Sequence, residues 1–260
     1  MRIAVLLALA LWSFPLLPGG KALAADPSAP PAVKEEVSPP EQPPSPAVSD
    51  PLEPVNRAIF VFNDKAYFWV MKPVAQGYGA VVPQTARVSV RNFFSNLATP
   101  IRFVNSLLQG KFKDSGVELL RFTINTTIGI GGLFDHAKNR FHLDRRDEDL
   151  GQTFGAYGLG HGIYLVLPLL GPSSLRDTAG LAGDAFLDPV NYLEDLETVV
   201  AVKAYKAENE ISLTIGDYED LTKSALDPYV AVRDAYVQHR AKKVREWLSS
   251  AGAGVPSCYS

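Results

Sequence analysis

One cysteine, Cys258, stands in 260 residues. No disulfide can close within the chain, so its fold rests on packing or on a partner. A surplus of positive charge is also missing: 25 Lys and Arg face 28 Asp and Glu, a net charge of −3. That is the wrong sign for neutralising phosphates, and nucleic acid is not an expected partner. Catalytic signatures are absent as well. The chain has no G-x-S-x-G elbow, H-E-x-x-H, C-x-x-C or phosphate-binding loop. His136, His142, His161 and His239 stand at no metal-ligand spacing, so neither metal nor cofactor is expected. Ser173 with His161 and Asp177 is the one conceivable hydrolase set, and Asp147 with Asp149 reads as a solvated face rather than an acid–base pair. Long apolar runs are scarce beyond the N-terminus. Val117–Phe134 approaches the length of a membrane span, but Glu118, Arg121, Asn125 and three glycines argue against one.

What the chain does contain falls into four stretches. Residues 1–24 have the form of a secretory signal: Arg2, an apolar run from Ile3 to Leu17, and Ala22-Leu23-Ala24 as a cleavage pattern. Its apolar run is short and is broken at Pro15 and Pro18, unlike a membrane anchor. Export leads to an oxidising compartment, where Cys258 is expected to remain a free tail thiol. Residues 25–49 are rich in proline, which favours extended polyproline II and cannot bury a core; they read as a semi-rigid tether. Residues 50–249 form the expected folded domain, and 250–260 a small, polar, frayed tail.

The folded stretch is mainly helical in pattern. Asp50, Pro51 and Glu53 read as cap, first position and capping-box acid of a helix running to Gly79. Phe60, Phe62, Tyr67, Phe68 and Trp69 make that helix aromatic on two faces. Such a helix is either buried in a core or laid in a membrane interface. Val81–Gln109 reads as two short helices. Asp114 marks the start of a further one, and residues 135–150 read as a charged, solvated loop. Gly151–Gly162 is dense in glycine, Ile163–Leu170 is a strand or extended run, and Ser173 or Ser174 caps a helix rich in small residues. Those small residues permit close approach of a neighbouring helix or lipid chain. A helix over about Asn191–Ile215 and an amphipathic one over about Pro228–Leu248 complete the pattern.

Several ordered motifs then carry a resemblance. They are Asp50-Pro-Leu-Glu-Pro-Val-Asn-Arg-Ala-Ile-Phe-Val-Phe-Asn63, Lys72-Pro-Val-Ala-Gln-Gly-Tyr78, Val90-Arg-Asn-Phe-Phe-Ser-Asn-Leu97 and Val104-Asn-Ser-Leu-Leu-Gln-Gly-Lys111. The series continues with Arg121–Asp135, Asp147–Gly155, Leu167–Asp177 and Asp227–Tyr236. Together they resemble the MlaA/VacJ family over nearly all of residues 50–240. The resemblance implies a single ring-shaped domain of amphipathic and interfacial helices with a Gly-rich hairpin loop. It implies a protein of the periplasmic face of the outer membrane that is not an enzyme. Such a protein removes mislocalised phospholipid from the outer leaflet through an amphipathic channel. Its partners would be a trimeric porin and a soluble periplasmic carrier. Under that reading Lys203 and Arg176 are expected headgroup contacts, Arg176 being equally open to an internal pair with Asp177. Val199 and Val202 line the lipid path, and Gly155, Gly158, Gly160 and Gly162 form a gating loop or, equally, a tight static set of turns. Phe60, Phe62, Tyr67, Phe68 and Trp69 become the membrane-interface helix. Many members carry a lipidated cysteine at the end of the signal; residues 18–24 hold none. Membrane attachment would then fall to the aromatic helix and a partner. A soluble periplasmic lipid-binding or scaffold protein is the alternative.

Overall fold

The computed structural model describes residues 49–250, with side chains through residue 247. The expected signal, the tether up to residue 48, and Cys258 with its tail lie outside the described residues. Helix α1 (Glu53–Ala66) runs through a π turn (Tyr67–Met71) into α2 (Lys72–Val81) without a break. Pro73 accounts for the π turn. It has no N–H to give the carbonyl four residues back, and its ring would strike that carbonyl. The register widens instead, and the Lys72 N–H donates to the Tyr67 carbonyl.

After α2 come α3 (Gln84–Leu97), α4 (Thr99–Leu108), α5 (Phe112–Thr127), α6 (His136–Phe141) and α7 (Leu150–Ala156). A hairpin of β1 (Tyr164–Leu167) and β2 (Gly171–Ser174) follows, antiparallel, with Tyr164 opposite Ser174 and Leu167 opposite Gly171. Then come α8 (Leu175–Asp184), a 3₁₀ turn (Pro189–Tyr192), α9 (Leu196–Leu213), α10 (Asp217–Lys223) and α11 (Pro228–Ser250). The fold is mainly α, as expected. Packing runs in a closed circuit: α1 on β1, β2 on α8, α8 on α7, α7 on α4, α4 on α3, α3 on α9, and α9 on α2. That order is compatible with the expected ring. Helix α11 lies across α7, β2 and α10.

Burial is inverted relative to a water-soluble fold. Among the described residues, buried polar and charged side chains outnumber buried apolar ones. Large apolar side chains stand exposed on most helices, among them Phe62, Trp69, Leu119, Leu120, Leu181 and Leu196. Single exposed apolar residues are ordinary; a shell of them over a polar interior is not. No helix among the described residues is long and apolar enough to cross a membrane.

The interior is joined by polar side chains between elements. Glu118 of α5 is fully buried. It accepts from Arg102 Nε of α4 at 2.7 Å and from the Arg146 N–H at 2.7 Å. Asp184 of α8 accepts from Asn105 Nδ2 of α4 at 2.8 Å and from the Leu150 N–H at 3.0 Å. Arg240 of α11 forks onto Asp149 at 2.6 and 2.8 Å and onto Asp177 at 2.8 and 3.0 Å. Each buried charge thus meets an opposite charge or a hydrogen-bond partner, the condition for keeping it there. The close packing expected of the small-residue helix is found where α8 meets α7. A Cβ on Gly180 would lie 2.3 Å from the Gly151 backbone nitrogen, so only glycine fits.

Several local expectations are corrected. Asp50 does not cap α1. The helix starts at Glu53, and the Asp50 carboxylate instead accepts from Asn56 and from the Tyr229 hydroxyl. Helix α5 starts at Phe112, with Asp114 inside its first turn. The expected helix over Asn191–Ile215 is divided into the 3₁₀ turn and α9, whose cap is Asp195. Residues 135–150 include α6, and Asp149 is not a solvated face: it caps α7 through the Gln152 N–H and holds Arg240. The glycine-rich stretch does not itself make the hairpin. Gly155 is buried in α7, Gly158, Gly160 and Gly162 form the loop after it, and the hairpin follows.

Candidate functional site

A cavity of about 430 Å³ opens between α1, the π turn, the hairpin, the end of α9, and α10 and α11. Its walls include Phe60, Met71, Val166, Leu170, Ile211 and Val232. The volume falls within the roughly 300–1,000 Å³ range of small-molecule sites, and an apolar lining is what an acyl chain requires. The lining residues that carry polar side-chain groups are Asn63, Tyr67, Tyr164, Thr214, Asp217 and Tyr218.

Helix α1 builds this site by holding the hairpin. Asn56 Nδ2 donates to the Tyr164 carbonyl at 3.0 Å, and its Oδ1 accepts from the Val166 N–H at 3.0 Å. Seven residues on, Asn63 repeats the arrangement with the Leu167 carbonyl at 2.9 Å and the Leu169 N–H at 2.8 Å. Two helical turns advance about as far as three strand residues, so both amides stand in for a third strand along the free edge of β1. Leu169 takes a left-handed backbone, φ 63°, at the tip of the hairpin. A leucine rarely adopts this, and the Asn63 acceptor holds it there. Arg57 lies between Glu53 and Asp227, over the Tyr229 ring at 4.4 Å. The first and last motifs of the folded stretch therefore meet at one joint.

On the other wall, Tyr67 Oη donates to Glu219 at 3.0 Å, and Tyr218 Oη donates to Asp64 at 2.9 Å. Lys72 Nζ also reaches Glu219, at 2.6 Å. Burial opposes ionisation of Glu219, but hydrogen bonds from Lys72, Tyr67 and the Gly216 N–H hold its carboxyl down at about 2. Burial, with Glu219 as hydrogen-bond acceptor, pushes the Tyr67 phenol up to about 12.

The residues singled out from sequence scatter around this cavity. Phe60 and Tyr67 line it, and Phe68 packs on Tyr67 with ring centroids 5.2 Å apart. Phe62 and Trp69 face outward, Trp69 being 75% exposed. The aromatic helix thus has one face toward the interior and one exposed. Arg176 is buried and pairs with Asp177 at 2.9 Å, inside the ionic joint with Arg240. Lys203 faces Asp188 at 3.6 Å on α9, with Val199 and Val202 half-buried beside it; none of these lines the cavity. Gly155, Gly158, Gly160 and Gly162 do not line it either, although Gly158 and Gly162 have left-handed φ of 86° and 69°. The Ser173 hydroxyl is engaged by Thr178 at 2.9 Å, and Asp177 by Arg176, Arg240 and Tyr236. Asn63, Leu170, Asp217 and Tyr218 were missed. Asn63 looked like an interruption of an apolar face, and Asp217 and Tyr218 sit in no motif. Among the described residues no cluster of acids and histidines could hold a metal.

Fold and site together define a helical protein with an apolar shell, buried ionic joints and one apolar cavity beside a hairpin. The chain belongs to the MlaA lipoprotein family, whose model matches residues 48–243. It is 36% identical over 194 residues to the intermembrane phospholipid transport system lipoprotein MlaA of Escherichia coli, covering 73% of this chain and 76% of that one. An uncharacterised protein of Rickettsia felis is 36% identical over 199 residues, 75% of this chain and 77% of its own. The fold matches a solved structure described as the structural basis for maintenance of bacterial outer membrane lipid asymmetry. The TM-score is 0.64 and the identity 33%, over 75% of this chain and 99% of that one.

Proposed function

We propose that this protein is a non-enzymatic phospholipid transporter of the bacterial outer membrane. It would withdraw mislocalised phospholipid from the outer leaflet through an amphipathic path and deliver it to a soluble periplasmic carrier, held in place with a trimeric porin. The observation that carries this reading is the pairing of an outward apolar shell with an apolar cavity under the hairpin. The shell supplies the surface that a protein seated in one leaflet needs, and the cavity supplies a dry place for a chain leaving that leaflet. The names of the curated relatives and of the structural neighbour point the same way. The hairpin is held against α1 by the amides of Asn56 and Asn63 and by Tyr164 and Val166 packed in a cluster with Ile59 and Phe60, so movement there would be led by its tip, where Leu169 and Leu170 are exposed.

The test is an outer-leaflet phospholipid assay in a strain deleted for the gene. Surface phospholipid should rise and return to normal on complementation. It should stay high with Val166→Trp, which fills the cavity. Unchanged surface phospholipid in the deletion strain would overturn the proposal.

A further inference from the structure

The cavity wall has a charge pattern that bears on which lipid it accepts. Among its lining residues Asp217 is the only charged one, and no Lys or Arg is present. No hydrogen bond or ion pair among the described residues engages the Asp217 side chain, and the residue is exposed at the start of α10. Beside it stand two phenol rings, Tyr67 and Tyr218, with centroids 5.0 Å apart and planes inclined at 64°. Phe68, outside the lining and 6.3 Å from Tyr218, already has Lys72 Nζ over its ring at 5.4 Å and is not part of this wall. Both phenol protons are already committed, Tyr67 to Glu219 and Tyr218 to Asp64. Neither hydroxyl is left to donate to a phosphate. Donation to a carboxylate also raises the electron density of each ring, which strengthens its attraction for a cation. The Asn63 amide is likewise taken up by the hairpin backbone. An anionic headgroup would meet a carboxylate and no donor of opposite charge; an ammonium group would meet a carboxylate and aromatic faces.

We infer that this cavity selects phospholipids whose headgroup carries an ammonium, such as phosphatidylethanolamine, over acidic phospholipids, with Asp217 and the Tyr67–Tyr218 pair as the discriminating wall. This rests on the proposal that the cavity holds lipid. The selectivity comes from repulsion of an acidic headgroup as much as from attraction of an amine.

The experiment uses the full chain in mild detergent, exchanged with vesicles of equal parts phosphatidylethanolamine and phosphatidylglycerol, then repurified. The ratio of the two bound lipids is read by mass spectrometry. Being internal to each sample, it does not depend on how much lipid is retained. The wild type should enrich the amine lipid by roughly threefold to tenfold, the range of a partly exposed cation–aromatic contact with an adjacent charge. Asp217→Asn should bring the ratio close to that of the vesicles, and Asp217→Lys should invert it. Tyr218→Phe keeps the ring and should keep most of the preference, whereas Tyr218→Leu should lose it. Asp220→Asn, one turn along and outside the cavity lining, should match the wild type. Bound lipid without headgroup preference, or a preference that Asp217→Lys leaves unchanged, overturns this inference and spares the transport proposal. Absence of any bound lipid in the wild type overturns both.

Discussion

The two sides of this molecule are held by different interactions. Where α4, α5, α7, α8 and α11 meet, charged groups are buried in matched sets: Arg102 with Glu118, Arg121 with Asp135, and Arg240 with Asp149 and Asp177. Where α1 meets the hairpin, the joints are the neutral amides of Asn56 and Asn63; where the π turn and α2 meet α10, two phenols and a single ion pair, Lys72 with Glu219, close one wall of the cavity. A buried ion pair has few alternative arrangements and is costly to break, so it suits a frame that must not move. An amide clasp on a short hairpin is weaker and can be released and remade. The difference assigns the frame to the ionic side and adaptation to the cavity side.

The largest effect should come from the ionic side. Arg240→Met leaves Asp149 and Asp177 without their common partner, and removing one member of a buried pair costs about 3–5 kcal/mol. Denaturant unfolding in detergent should show that loss; a change below about 1 kcal/mol would mean the ionic side is not the frame. Asn56→Leu comes next. It strands the Tyr164 carbonyl and the Val166 N–H, at roughly 1–3 kcal/mol for an unsatisfied buried group. Amide exchange should quicken in the hairpin while α4, α5 and α7 keep their protection. Equal quickening in both regions would erase the contrast.

Acid should weaken both sides together. Burial opposes ionisation of Asp177, but Arg240 and Arg176 hold it at about 2, against an ordinary value of 3.8; Glu219 is held at about 2 against 4.5. Both folded values are depressed, so the folded state binds fewer protons than the unfolded one across that interval. Their contribution is complete above about pH 5 and is lost as pH falls toward 2. Asp177→Asn and Glu219→Gln should each flatten part of that decline in a pH series of unfolding free energies. The smallest effect on stability belongs to the shell. Phe62→Ser with Trp69→Ser should change unfolding free energy by no more than about 0.5 kcal/mol per site, yet lower partition into vesicles measurably.

Much of the helical order was legible because proline, glycine and capping residues mark it: Ser174 does cap α8, and Gly110 follows the end of α4 with a left-handed backbone. The site was less legible. Asn56 and Asn63 read as breaks in an apolar face, because their use depends on a strand more than a hundred residues away. Arg176 reads from sequence as a headgroup contact or equally as a partner of the adjacent Asp177; the structure has that pair, and the bond from Asp177 to Arg240 that completes the joint comes from a distant helix. Charge sign in a motif does not tell a ligand contact from an internal pair. The aromatic helix left two readings open because it has two aromatic faces, and tertiary packing uses each differently.

The central claim is that the apolar shell faces lipid. Trp69 reports on it directly in a full chain carrying Trp12→Phe and Trp247→Phe, since those are the other two of its three tryptophans. Reconstituted in vesicles, its fluorescence should be quenched by phospholipids with brominated acyl chains and protected from iodide in the water. Quenching by iodide at the level of free tryptophan, with no response to brominated lipid, would contradict the account.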